Sequence, residues 1–165
     1  MTFEELYQDI YPPLVRYCTR LTGNGDDGEE VAQEAFVRLL KGGVTGHPAG
    51  LRVWLFRTAL HRIRDAAKVR ANRQRLLEIH PVLPGGDSHP GLDLERQERI
   101  ESVRKALERL SPRDRELLLL REEGFSYREM AEAVGVAGGS VGTLLARAQR
   151  RLTEHLNEED GDDAS

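Results

Sequence analysis

The 165-residue sequence contains a single cysteine, Cys18, which rules out a disulfide within the chain and a Cys-rich metal site. Its flanks, Tyr17 and Leu21, suit a small buried apolar residue better than a reactive thiol. No run approaches the roughly 20 apolar residues of a membrane span. The N-terminus carries Glu4, Glu5 and Asp9 where a signal peptide needs cationic and then apolar residues, so a cytoplasmic protein without membrane insertion is expected. No alternating strand pattern is present, and the expected fold class is all-α. A glycine-rich phosphate loop, metal-ligand spacing and a nucleophile constellation are also missing, so neither an enzyme nor a cofactor is expected. His80 and His89 lack ligand spacing, and no metal is assigned.

Charged residues make up 32% of the chain and apolar residues 39%, the balance of a surface-rich helical protein with one or two small domains. The net charge of −4 excludes a uniformly basic coat. The distribution matters more than the sum. Residues 52–75 hold Arg52, Arg57, Arg62, Arg64, Lys68, Arg70, Arg73 and Arg75 against one acid, Asp65. Residues 158–165 form an acidic tail expected to be disordered.

The most informative stretch is residues 110–152. Ser111-Pro112-Arg-Asp114 restarts a helix with proline at its first position. Ser126-Tyr-Arg-Glu129 has capping-box spacing, and Met130, Ala131 and Val134 follow at helical intervals until Gly135. Gly138-Gly139 is expected to supply the freedom of a turn, with Ser140 as N-cap of a second helix. That helix carries Val141, Leu145, Ala148 and Leu152 on one face and Arg147, Arg150 and Arg151 off it. This layout places a helix in a DNA major groove, with an ordinary helical hairpin as the alternative.

Upstream, Thr2–Glu5 again has capping-box spacing, and Phe3, Leu6, Tyr7 and Ile10 share a helical face until Pro12-Pro13 breaks or restarts the helix. After the turn Thr22-Gly23-Asn24-Gly25, Asp26 or Asp27 caps a second helix lined by Val31, Ala35 and Leu39. A third is expected over residues 51–77, with Trp54, Leu55, Leu60, Ile63 and Ala67 inward. A fourth starts near Glu95, with Ile100, Val103, Leu107 and Leu110 in sequence along it. Between them, three prolines and three glycines in residues 78–94 read as a flexible linker. The expected order is a helical domain over residues 1–77, the linker, a helix-turn-helix domain over 95–157 and the acidic tail.

Three segments carry a resemblance to bacterial sigma factors of the extracytoplasmic-function class, group 4 of the sigma-70 family. Asp26-Asp-Gly-Glu-Glu-Val-Ala-Gln-Glu-Ala-Phe-Val-Arg38 resembles the helix that such factors press against core RNA polymerase. The resemblance implies that Asp27, Glu30, Gln33, Glu34 and Arg38 bind polymerase around Phe36 as an apolar anchor. Trp54-Leu-Phe-Arg-Thr-Ala59 and the basic run after it are similar to the region 2 helix that captures the −10 promoter element. Trp54, Arg57, His61, Arg62, Arg64, Lys68, Arg70 and Arg73 would therefore face promoter DNA. For Trp54 a plain core position is the competing reading. Ala106-Leu-Glu-Arg-Leu-Ser-Pro-Arg-Asp-Arg-Glu116, continuing through Arg147-Ala148, resembles the region 4 module that reads the −35 element. Ser140, Thr143, Arg147, Arg150 and Arg151 are its expected contacts.

Two departures accompany the resemblance. His61 stands where many members have Asn, and Gly142-Thr143-Leu144 stands where a Lys-Ser-Arg-like run is frequent. Gly142 weakens its helix by roughly 1 kcal/mol relative to alanine. The resemblance implies a promoter-specificity subunit, with core polymerase, promoter DNA and an anti-sigma factor as partners. A sigma-like decoy that binds an anti-sigma factor without reading DNA, and a helix-turn-helix repressor, are the competing functions.

Overall fold

The computed structural model describes residues 1–77 and 93–163, and the linker expected at 78–94 lies almost wholly outside them, as do His80 and His89. Among the described residues there are seven α-helices, one 3-10 turn and no strand. They run α1 Phe3–Thr22, α2 Gly25–Lys41, α3 Pro48–Leu77, α4 Leu94–Glu108, α5 Pro112–Glu122, α6 Tyr127–Val134, the 3-10 turn Gly138–Ser140 and α7 Val141–Asp163. The chain divides into two compact units, Met1–Gly85 and Gly86–Ser165.

In the first unit, the Thr2 hydroxyl accepts from the Glu5 amide at 3.2 Å, while the Glu5 carboxylate accepts from the Thr2 amide at 3.1 Å. The expected break at Pro12-Pro13 does not occur, and α1 continues through both prolines. Pro12 lies on the exposed side, as do Gln8 and Asp9, whose carbonyls lose their helical donors to the two prolines. Those carbonyls sit on the side of the helix that water reaches. The inward residues Ile10, Leu14, Tyr17 and Cys18 remain buried in register. Burial pushes the Cys18 thiol up to about 12, which makes it an inert core residue.

Gly23 takes the left-handed conformation at φ 73°, and the chain turns directly into α2. The cap of α2 is Asn24 rather than Asp26 or Asp27: its side-chain oxygen accepts from the Asp26 and Asp27 amides at 2.8 and 3.2 Å. Both aspartates then lie in the first turn, where the helix dipole favours them. Gly28 is buried where α2 meets α1. A Cβ there would overlap the Thr19 hydroxyl and lie 2.6 Å from its backbone nitrogen.

α3 begins at Pro48, earlier than expected, with proline at a first helical position. His47 Nδ1 accepts from the Ala49 amide at 3.2 Å. Its buried face is Val53, Leu55, Phe56, Ala59 and Leu60. Ala67, expected inward, is exposed, because the other two helices cover only the first half of α3. The Phe56 and Tyr17 rings meet at 5.2 Å and close the core between α1 and α3.

In the second unit, Asp93 caps α4 and Ser111 caps α5. Arg115 reaches back to donate to the Leu107 and Leu110 carbonyls, at 3.1 and 3.3 Å, satisfying acceptors at the end of α4. Leu117, Leu118, Leu119 and Leu120 are all buried, so α5 is the central helix of this unit. Ile100 and Val103 are exposed; α4 packs on α7, and its one buried residue, Ala106, lies near its C-terminal end.

The acidic segment expected to be disordered is helical as far as Asp163. Arg109, just after α4, supplies the counter-charge at 2.6 Å from Glu158 and 3.9 Å from Glu159. Composition registers only the like charges; the cation comes from about 50 residues earlier in the chain.

Two outcomes follow from this packing. Gly28→Ala should lower stability by about 1–3 kcal/mol, measured by urea unfolding, because the Thr19 backbone cannot yield to a methyl group. The Arg109 guanidinium holds the Glu158 carboxyl below its ordinary value. The contact therefore stabilises α7 fully above the ordinary carboxylate range and is lost as pH falls through the lower folded value. Acid titration followed by NMR should release the end of α7 at that lower pH, and Glu158→Gln should abolish this step.

Candidate polymerase and nucleic-acid interfaces

Three surfaces hold the residues singled out from the sequence. On α2, the helical period separates an outer face from an edge turned toward α3. Glu30 and Gln33 are exposed on the outer face, and the Gln33 amide donates to the Tyr11 hydroxyl at 3.3 Å. Asp27 and Glu34 occupy the α3 edge. Glu34 accepts from Arg38 at 3.0 Å with one oxygen and from Arg62 at 2.9 Å with the other. Asp27 lies 3.7 Å from Arg70.

Phe36 is not an exposed anchor. It is 3% accessible and forms the centre of an aromatic cluster, with Tyr7, Tyr11 and Phe3 ring centroids at 5.0, 6.1 and 6.2 Å. The reason is geometric: α1 carries its aromatic residues at helical spacing, and they converge on this position of α2. The apolar side chains that α2 does present are Val37 and Leu40, 45% and 58% exposed. Sequence reading passed over both. Their exposure depends on which arc of α2 is covered by α1 and α3, and a periodicity of apolar residues does not identify that arc.

On α3, Arg57, His61, Lys68 and Arg75 are exposed and Arg64 is half-buried. Intervals of four, three, four and seven residues put them along one stripe spanning roughly 27 Å, flanking the buried row of Val53, Phe56 and Leu60. Trp54 borders this stripe with intermediate exposure, so it is neither fully core nor fully free. Arg73 is exposed off the stripe. Arg62 and Arg70 are directed instead to the acids of α2, and Arg52 lies 5.9 Å above the Phe56 ring.

The third surface is a helix-turn-helix. Ser126 and Glu129 form the reciprocal cap of α6, at 3.2 and 2.9 Å, and Gly135 ends that helix at φ 86°. Val141, Leu145 and Ala148 are buried, and Ser140, Thr143, Arg147 and Arg150 are exposed on the opposite side of α7. Ser140 is not the N-cap: it belongs to the 3-10 turn that runs straight into α7, preceded by Ala137, which makes no side-chain cap. Nor do Gly138 and Gly139 use left-handed torsions.

Among the described residues, Arg151 has a protein partner that Arg147 and Arg150 lack. Its guanidinium donates to the Asp114 carboxylate at 2.8 Å, and Asp114 is only 4% exposed. It therefore anchors α7 to the start of α5. Two neighbours missed in the sequence are Tyr127 and Arg128, exposed at the start of α6, with the Tyr127 ring 3.5 Å from where a Gly142 Cβ would stand. Among the described residues no group of His, Cys, Asp or Glu is arranged to hold a metal, and no helix is long and apolar enough to cross a membrane.

A helical unit bearing an acidic edge and a cationic stripe, together with a helix-turn-helix unit, is the architecture of a transcription-initiation specificity factor. The family model described as Sigma-70 region 2 matches residues 6–73, and Sigma-70, region 4 matches residues 100–152. The chain belongs to the sigma-70 family, within its extracytoplasmic-function class.

It is 28% identical over 160 residues to RNA polymerase sigma factor YlaC of Bacillus subtilis, covering 94% of this chain and 92% of that protein. It is 27% identical over 158 residues to ECF RNA polymerase sigma factor SigE of Mycolicibacterium smegmatis, covering 94% of this chain but 62% of the longer relative. Among solved structures it is similar to the sigma factor RpoE of Bartonella quintana, solved in complex with the anti-sigma factor NepR. The TM-score is 0.73 at 25% identity, over 94% of this chain and 96% of the other.

Arg151→Ala should lower the stability of the C-terminal unit by about 1–3 kcal/mol, since it leaves the buried Asp114 carboxylate without its cation. Arg147→Ala, on the outer face, should change the melting temperature little. Thermal unfolding of the two variants separates the anchoring role from the exposed one.

Proposed function

We propose that this chain binds core RNA polymerase and directs it to a restricted set of promoters, reading a −10 element with the first unit and a −35 element with the second. The family is regulatory and non-enzymatic, and no catalysis by the chain itself is invoked. The observation that carries the reading is the separation of charge on the folded surfaces. The Arg57–His61–Lys68 stripe of α3 and the Thr143–Arg147–Arg150 face of α7 are turned away from their own cores, as phosphate and base contacts require.

On the polymerase side, Glu30 and Gln33 form a polar rim, and Val37 and Leu40 take the apolar role that Phe36 cannot fill. Trp54 borders the −10 stripe and supplies a ring for an unstacked base. Arg62 and Arg70 start from ion pairs with α2, whereas the half-buried Arg64 within the stripe and Arg73 off it serve as backbone contacts. Arg151 supports the −35 surface from behind. The proposed place of action is the cytoplasm, where core polymerase and DNA are found.

Control by an anti-sigma factor is part of the proposal, supported by the likeness to RpoE, which was solved with such a partner. A second neighbour, a structure of the anti-anti-sigma factor PhyR with the anti-sigma factor NepR from Bartonella quintana, has a TM-score of 0.57 at 18% identity, a likeness that concerns the fold alone and supports no role for this chain. The exposed basic stripe favours DNA reading over the decoy. A repressor reading leaves the whole first unit without a role.

In vitro transcription with core polymerase, the purified chain and genomic fragments from its host should give discrete starts that depend on the chain. Leu40→Asp combined with Val37→Asp should weaken core binding roughly tenfold or more while leaving the fold intact. Core binding without chain-dependent transcripts would point to a missing activator or the wrong promoter pool. No core binding would remove the sigma reading and favour the decoy.

A further inference from the structure

The acids assigned to polymerase and the arginines assigned to DNA are, in the isolated chain, bonded to one another. Glu34 holds Arg62 with one carboxylate oxygen and Arg38 with the other, at 2.9 and 3.0 Å. About two helical turns away along α2, Asp27 stands 3.7 Å from Arg70. These pairs are neither deeply buried nor free: side-chain exposure is 33% for Glu34 and 37% for Arg62. A partner can therefore reach either member, and a solvent-screened pair of this kind is weak enough to be exchanged. Arg57 and Lys68, by contrast, are exposed and make no ion pair among the described residues.

We infer that Glu34 is shared between the two surfaces and couples them: it competes for Arg62 in the free chain, and Arg62 becomes fully available to promoter phosphate once a cation of the polymerase takes the Glu34 carboxylate. This rests on the proposed sigma function and adds how its two binding events depend on one another. The physical basis is charge exchange. In the free chain a phosphate approaching Arg62 also approaches the Glu34 carboxylate, which repels it and competes for the same guanidinium. A polymerase Lys or Arg bonded to Glu34 removes both obstacles at once. Linkage makes the effect reciprocal, so phosphate bound at Arg62 leaves Glu34 freer to hold polymerase. Asp27 and Arg70 form a weaker copy of the same device, being farther apart and more exposed.

The test is fluorescence anisotropy of the full-length chain with a labelled single-stranded DNA oligonucleotide of promoter sequence, over a salt series, with and without core RNA polymerase. Glu34→Gln keeps the side-chain shape and removes the competing charge. It should tighten oligonucleotide binding by the free chain about threefold and steepen the log–log salt slope by about one. The gain should vanish in an Arg62→Gln background and in the polymerase complex, where Glu34 is already neutralised. Asp27→Asn should act in the same direction but more weakly. Glu30→Gln makes an identical charge change on the outer face, where no ion pair is present among the described residues, and it should have the smallest effect.

A gain that survives Arg62→Gln, equals that of Glu30→Gln, or persists with polymerase overturns the coupling. Unchanged or weaker DNA binding in Glu34→Gln overturns it as well. Wild-type chain that binds polymerase and oligonucleotide, but with Glu34→Gln behaving like wild type, refutes the coupling and leaves the sigma reading standing. Wild-type chain that binds neither refutes both.

Discussion

The first unit depends on a close approach of two backbones. α1 and α2 meet where Gly28 faces Thr19 so tightly that no side chain fits between them. This contact fixes the crossing of the two helices, and much of the unit follows from it. Phe36, about two turns further along α2, falls among Phe3, Tyr7 and Tyr11 of α1 instead of reaching solvent. The opposite side of α2 is left to Glu30, Val37 and Leu40, while Asp27 and Glu34 are turned to the arginines of α3. A polar, partly apolar docking face and an ion-paired edge thus come from one packing constraint.

The second unit is organised by a polar contact instead. The buried Asp114 carboxylate, in the first turn of α5, takes the Arg151 guanidinium from the middle of α7. A leucine-rich α5 alone would tolerate some sliding or rotation of α7, because apolar packing is not directional. A charge-assisted hydrogen bond to a buried acceptor has a definite geometry. It fixes the rotation of α7 that leaves Thr143, Arg147 and Arg150 outward. Arg115, donating to the carbonyls at the end of α4, plays a comparable part for the preceding turn.

Charge in this chain accordingly does two different jobs that a residue count cannot separate. Arg57, Lys68, Arg147 and Arg150 are presented to solvent, whereas Arg62, Arg109 and Arg151 hold neighbouring helices. The surfaces are strongly local even though the whole chain carries only −4. Locality matters for a polymerase subunit, because an acidic docking face beside a cationic stripe orients each partner to its own side.

What the sequence determined by itself is local: the helices and several of their ends. Thr2–Glu5, Ser111–Asp114 and Ser126–Glu129 are caps whose donors and acceptors lie within three residues, so spacing alone reveals them. The inward face of α7 and the order of the two family motifs were legible for the same reason. What only the tertiary structure decided is which side of each helix is covered and which charge meets which. Phe36, Val37, Glu34, Arg62 and Arg151 were all visible as residues. Their roles depend on side chains brought from elsewhere in the chain, 28 positions away for Glu34–Arg62 and 37 for Asp114–Arg151. A helical period gives the angle of a residue on its own helix; only packing says what stands opposite.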